Sequence, residues 1–488
     1  MNDAPAPAMW LAPEGLAVGW LGPLGPAVAW LETWARDARF TALLGRPGAH
    51  RPVTPIPWIV DGGLVAFWCE DEGAFAQRLE PGRATTPALL LPGAARIALA
   101  AGPTGATLFG ADDRGLLRRD VDASGRPVGE LRRTLTERQP PPLLAATRLR
   151  DTAVLVHAYP GSASLGVLSA RGADEVRVKH PLRLPCRELA LSGSGTRATV
   201  VLGLDDGSLE VALLGAEGVM VERPHRVLER VGARLESPRV TFRENAWVLL
   251  VRDADRDRLL LRSLGGDRIE TELPDCRGRF AARYWSRHFF ALEASPGDDG
   301  AELRIWRCAH DGGSPEHRIA SIRLLDAPVR RVQLEARTAL TSVVDRLARG
   351  QGYRDEPPRA EVRPDGASLS FADREGHLSL SVHAEAGGVR LAVTSALGHE
   401  VEPPEVTALV RLARWIRERV STTARAEAER DRSLGVRLAE ALGGTLVRID
   451  RAGGALALEI ALERVPAVEM LAAWVRQLRA EQGAPIGR

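Results

Sequence analysis

The sequence predicts a mainly β chain in two parts: repeated antiparallel sheets over residues 1–330, then an α+β region over residues 331–488. Three observations predict this. Strand-length apolar runs recur between Gly, Pro and Asp turns along the first part. The same strand-turn-strand order returns every 40–50 residues or so, a spacing typical of ring-forming repeats. Near Leu334 the apolar period changes from 2 to 3.6, so helices replace strands there.

The best copy of the repeat is Glu188–Leu214, ELALSGSGTRATVVLGLDDGSLEVALL. Leu189–Leu191 is its first strand, Ala198–Leu204 its second and Ser208–Leu214 its third. Asp205-Asp206-Gly207 suits the hairpin because Asp and Gly tolerate positive φ. Related copies start near Ile97, Leu144, Val240 and Phe280, with weaker ones at Ile56–Leu79 and Leu16–Leu31. Such sheets are apolar on both faces and must stack on neighbours; closing a ring hides both terminal faces. The expected fold is a six- or seven-bladed β-propeller. Leu31–Leu44 interrupts the pattern, with Leu31, Trp34, Ala38 and Ala42 spaced as on one face of a helix.

The rhythm of Glu188–Leu214 resembles the WD40-like superfamily. It lacks the Gly-His opening and Trp-Asp ending of WD40 repeats proper, so the resemblance implies a degenerate propeller.

In the second part, a helix is predicted over Leu334–Gly350. Three alternating strands follow at Ala367–Ala372, His377–His383 and Val389–Thr394. A helix from about Pro404 carries the stripe Val406, Leu409, Val410, Ala413, Ile416 and Val420, and its pattern extends through Arg425–Arg432 to Leu442. A hairpin over Thr445–Leu462 and a helix from about Pro466 complete the order α-βββ-α-ββ-α. That order resembles the type III secretion chaperones, which implies a C-terminal domain that binds other chains. A second parse makes Val362–Val382 a last blade; the helix at Leu334 argues against it.

Composition narrows the function. In 488 residues, 65 basic and 63 acidic side chains leave a net charge of +2, so no strong field favours nucleic acid or an anionic membrane. Lys179 is the sole lysine; the remaining basic charge is arginine. Pro87–Gly110, the most apolar stretch, is broken by Pro92, Gly93, Arg96, Gly102 and Pro103, so it does not present the roughly 20 apolar residues of a membrane span. Cys69, Cys186, Cys276 and Cys308 stand apart, as reduced thiols do, and no basic n-region opens the chain. The expected location is the bacterial cytoplasm.

The chemical motifs are bland. Gly193-Ser194-Gly195 precedes the strand Val200–Leu204 rather than a helix, which excludes a dinucleotide fingerprint. Cys308-Ala309-His310-Asp311 reads as a strand end and a turn. Asp112-Asp113, Asp205-Asp206 and Asp298-Asp299 read as hairpins without calcium-loop spacing. Arg425–Arg432 reads as a solvated helix face. No catalytic, cofactor or metal site is predicted. The one interaction-like stretch is Arg283–His288, where Tyr284, Trp285, Arg287 and His288 combine the residue types of binding hot spots. The expected function is a non-enzymatic scaffold or adaptor that binds other proteins, with self-association through the C-terminal domain. A propeller hydrolase with its site at the central channel is the alternative.

Overall fold

The computed structural model describes residues 6–32, 38–46, 53–80, 83–135, 143–228, 235–243, 246–253, 258–263, 270–276, 278–309, 315–348, 360–373, 376–397, 422–452 and 455–483. Two compact units divide the chain, Met1–Leu325 and Asp326–Arg488.

The first unit is a seven-bladed β-propeller. Each blade is an antiparallel meander, and the innermost strands are, in chain order, Ala8–Ala12, Ile56–Val60, Arg96–Ala101, Leu143–Leu149, Cys186–Ser194, Leu235–Arg243 and Phe280–Trp285. The second blade differs at its outer edge, where Gly73–Glu80 pairs with both Arg83–Ala84 and Ala88–Pro92. Ala8–Ala12 lies beside Phe280–Trp285, so the first blade meets the seventh and the ring closes.

The core is a set of slabs between blades, and strand Gly63–Glu70 of the second blade shows why. All eight of its residues are buried. Val65, Phe67 and Cys69 pack with Leu108, Leu117 and Val121 of the third blade. Leu64, Ala66 and Trp68 pack with Val28 and Trp30 of the first. Successive side chains point to opposite faces, so a strand covered on both faces reads as an unbroken apolar run. A side chain the size of Leu64, Val65 or Phe67 contributes about 1.5–3 kcal/mol by leaving water. The fifth blade repeats the logic: Val200 and Leu202 join the slab against the fourth blade, and Val201, between them, is equally buried.

Polar latches tie successive blades. The turn between the third and fourth strands of one blade rests on the blade before it. Arg78 of the second blade donates to the Ala123 carbonyl of the third at 2.9 Å. Arg132 of the third donates to Ala173 of the fourth at 2.8 Å, and the buried Arg118 donates to Gly172 while pairing with Glu175 at 3.1 Å. His180 of the fourth meets the Gly218 carbonyl of the fifth at 3.1 Å. Gly125 and Gly218 take φ of 78° and 76°; a Cβ there would lie 2.8 Å from Val65 and 3.0 Å from Val167 of the preceding blade.

One sequence expectation fails here. The described residues of Leu31–Leu44 form strands rather than the expected helix. Gly25–Leu31 and Ala38–Leu43 are the third and fourth strands of the first blade, paired with Leu31 opposite Ala38. The 3.6-like spacing across them is accidental, and pairing between strands overrides it; Trp34 lies outside the described residues.

In the second unit, helices α1 (Ala327–Ala348), α2 (Thr422–Ala441) and α3 (Val468–Gly483) accompany a six-stranded antiparallel sheet. Its strand order is Glu361–Arg363, Gly366–Asp373, Gly376–Glu385, Gly388–Leu397, Ala455–Leu462, Thr445–Ala452. Leu378, Leu380, Val382, Leu391 and Ile460 form a core with Leu340, Leu438, Leu471 and Val475 of the helices. The short strand Glu361–Arg363 adds a fourth strand to the three expected, and Val362–Val382 belongs to this sheet rather than to a blade. α1 starts seven residues before Leu334, and the stripe Val406–Val420 lies outside the described residues. Among the described residues, no helix is long and apolar enough to cross a membrane.

Candidate functional site

The predicted interaction stretch forms a hairpin tip on the seventh blade. Phe280–Trp285 pairs with His288–Gly297, and Trp285 opposes His288, leaving the two-residue turn Ser286-Arg287. Both turn residues have positive φ, 46° and 62°. The matching turn of the second blade is Asp61-Gly62, at 48° and 68°. Turns of this kind favour Gly at the second position, because only Gly lacks the Cβ clash. Arg287 occupies it instead, and its side chain is exposed. His288 Nδ1 lies 2.8 Å from the Ser286 carbonyl, and its ring stands 6.2 Å from Phe290. Trp285 is half-buried. Tyr284 packs on Phe289, centroids 5.0 Å apart, and belongs to the slab holding Phe280 and Trp306. The structure therefore groups Trp285, Arg287 and His288 at one tip and turns Tyr284 into the core.

The other sequence motifs resolve as turns and core. Gly195, with φ 58°, sits in the turn joining Cys186–Ser194 to Arg197–Leu204. Cys308 is buried and its thiol points to the Ala309 carbonyl at 3.6 Å; His310 and Asp311 lie outside the described residues. Burial pushes the Cys69 and Cys186 thiols up to about 12, so neither is a ready nucleophile. Asp206 accepts from the Ser208 hydroxyl at 2.6 Å and from Arg183 at 2.6 Å, and these bonds hold it well below the usual carboxylate range. Arg183 reaches it from the chain between the fourth and fifth blades. Arg46 does the same between the first and second, donating to Glu72 at 2.6 Å. These two acidic hairpins thus tie the connecting chain to the blade that follows it, whereas Asp112 pairs with Arg133 of its own blade at 2.7 Å. No group of three or more His, Cys, Asp or Glu is placed to hold a metal ion among the described residues.

Two further constellations have no signal in the sequence. The first is a cavity in the fourth blade, lined by His157, Tyr159, Ser162, Ser164, Arg177 and Lys179 among others. The second lies on the C-terminal sheet. His383 Nδ1 meets Asp365 Oδ2 at 3.0 Å, and its Nε2 meets Ser381 Oγ at 3.1 Å. Those are the contacts of a serine-histidine-aspartate relay. Ser381 sits in a central strand, opposite Ser368 on one side and Ala392 on the other. The sheet ladder engages the neighbouring backbone N–H groups, so they are not available as an oxyanion hole. The relay can orient an imidazole, and the Arg363 guanidinium beside it is held on Ser368, the residue opposite Ser381, at 2.8 Å.

The sequence matches no family profile and no curated relative. Several solved structures are similar at low identity. The BP39L lectin from Burkholderia pseudomallei aligns over 66% of this chain and 100% of its own, at 15% identity and a TM-score of 0.52. The WD40 domain of SCAP from fission yeast aligns over 68% and 81%, at 11% identity and 0.38. AztD from Citrobacter koseri aligns over 56% and 72%, at 15% identity and 0.36. Likeness at this level of identity concerns the fold alone, a β-propeller.

Proposed function

We propose that this chain is a protein-interaction scaffold, an adaptor subunit of a bacterial multiprotein system acting in the cytoplasm in a regulatory or defence role. The propeller is the rigid platform, and the tip Trp285, Arg287 and His288 is its contact point, with Tyr284 bracing it from the core. One observation carries the reading. Arg287 holds a left-handed conformation that disfavours any side chain by about 1 kcal/mol, at a turn where a matching blade uses Gly. Strain retained on an exposed cation between an indole and an imidazole fits a residue kept for contact rather than for folding. The innermost strands support a scaffold over a channel hydrolase: they are dominated by small and apolar residues, with Glu188 and Glu236 as their acidic members.

The partners are other protein chains rather than nucleic acid or membrane, and catalysis and cofactors have no part in the role. Self-association through the C-terminal unit is its second arm; Val436, Val447 and Met470 offer exposed apolar side chains there.

Arg287→Gly tests the reading. The variant melts higher than the wild type, while partners recovered with the intact chain from its native host are depleted. Unchanged recovery with a raised melting temperature removes the tip from the interface. Sedimentation velocity of the full chain tests self-association, and a monomer at all concentrations rules it out.

A further inference from the structure

We propose that the cavity in the fourth blade binds a small organic carboxylate. The cavity has a volume of about 160 Å³. Cavities near 150 Å³ accept a molecule the size of benzene.

Strand register builds the site. His157 on Thr152–Ala158 opposes Gly166 on Ser164–Arg171, and Gly166 opposes Lys179 on Asp174–Pro181. A Cβ on Gly166 would lie 2.1 Å from His157 Nε2, so the glycine is what lets the imidazole lie over the strand. The ring is 8% exposed, and its Nδ1 is buried without a hydrogen bond among the described residues. An unpaired buried polar atom costs about 1–3 kcal/mol, which a ligand in the cavity would offset.

The rest of the lining selects the ligand. Lys179 has no ion pair among the described residues, whereas Arg177 is held by Glu175 at 3.1 Å. Ser162 and Ser164 share one hydrogen bond at 2.8 Å, which leaves one hydroxyl proton to give. Tyr159 stands edge-on to His157, centroids 5.6 Å apart, and Leu168, on the same strand face as Gly166, adds an apolar side chain. Burial and the Lys179 charge keep the imidazole neutral at physiological pH, so Lys179 supplies the unpaired positive charge. One ammonium and one imidazole match the two oxygens of a carboxylate. The apolar part of the lining suits the ring or short chain that carries the carboxylate.

The probe is 4-fluorobenzoate, titrated into the full chain and followed by fluorine NMR. Saturable binding is expected with a dissociation constant near or below about 1 mM. Lys179→Gln, at an exposed position, and His157→Leu each weaken it by about tenfold or more, while Lys179→Arg retains it. The neutral 4-fluorobenzamide binds at least about tenfold more weakly than the acid. Absence of saturable binding, or binding unchanged in Lys179→Gln, overturns the site. Equal binding of the amide overturns the carboxylate assignment. None of these outcomes depends on the seventh-blade hairpin, so this test and that of the scaffold reading fail separately.

Discussion

Arg283 lays its guanidinium over the ring of Trp10, 3.7 Å from the centroid, and so joins the innermost strand of the seventh blade to that of the first. Neither end of the propeller contributes a strand to the other's sheet, so contacts of this kind close the ring. Burial pushes Arg283 down to about 10, which leaves it charged at neutral pH. Trp10→Ala and Arg283→Met are expected to destabilise the first unit non-additively, with a coupling of about 1–2 kcal/mol in urea denaturation. Strict additivity would show that other contacts close the ring.

Burial on both faces makes the second strand of the fifth blade intolerant of charge. Val201→Asp places an unpaired carboxylate between blades and is expected to cost several kcal/mol, about the stability of many domains. A variant with an unchanged thermal midpoint would remove Val201 from the slab.

The turn latches predict a cost at glycine. Gly125→Ala combines positive φ with a Cβ 2.8 Å from Val65, and about 1–3 kcal/mol should be lost. Gly172, also in such a turn with φ 58°, has nothing within 4 Å of its would-be Cβ. Gly172→Ala should therefore cost less than Gly125→Ala by calorimetry; the reverse order would contradict the latch.

His157 gives a pH signature. Burial first, and the Lys179 charge second, push it down to about 4, against about 6.5 when unfolded. A base with a depressed folded pKa stays neutral in the fold while the unfolded chain gains the proton. Its contribution is whole above about pH 6.5 and falls as pH drops toward 4, by about 3 kcal/mol in all. Denaturation of wild type and His157→Leu at a series of pH values should show the smaller loss in the variant. Parallel curves would mean that the ring titrates normally.

The Asp365–His383–Ser381 relay is expected to be inert toward esters, because the ladder occupies the backbone N–H groups beside Ser381 and Ser368 holds Arg363. Hydrolysis of p-nitrophenyl acetate should be the same for wild type and Ser381→Ala. A serine-dependent rate, with covalent labelling of Ser381 by a fluorophosphonate, would assign the second unit an acyl-transfer site.

The repeat was legible because its causes are local. Alternating apolar runs and Asp-Gly turns mark each blade, and Asp205-Asp206-Gly207 sits in the hairpin where turn chemistry places it. Ser286-Arg287 was not legible as a turn, since neither residue favours positive φ, and Leu31–Leu44 misled because a few spaced apolar residues fit either period.

By itself, the sequence determined the blade rhythm, the change of architecture near residue 330 and the buried strand interiors, all of which follow from backbone periodicity. Tertiary structure alone decided which blades share a slab, which arginine latches which turn, and that His157, Gly166 and Lys179 form one row. The reason is register. Lateral neighbours in a sheet are fixed by strand pairing, and pairing depends on how whole blades pack, which spacing along the chain does not encode.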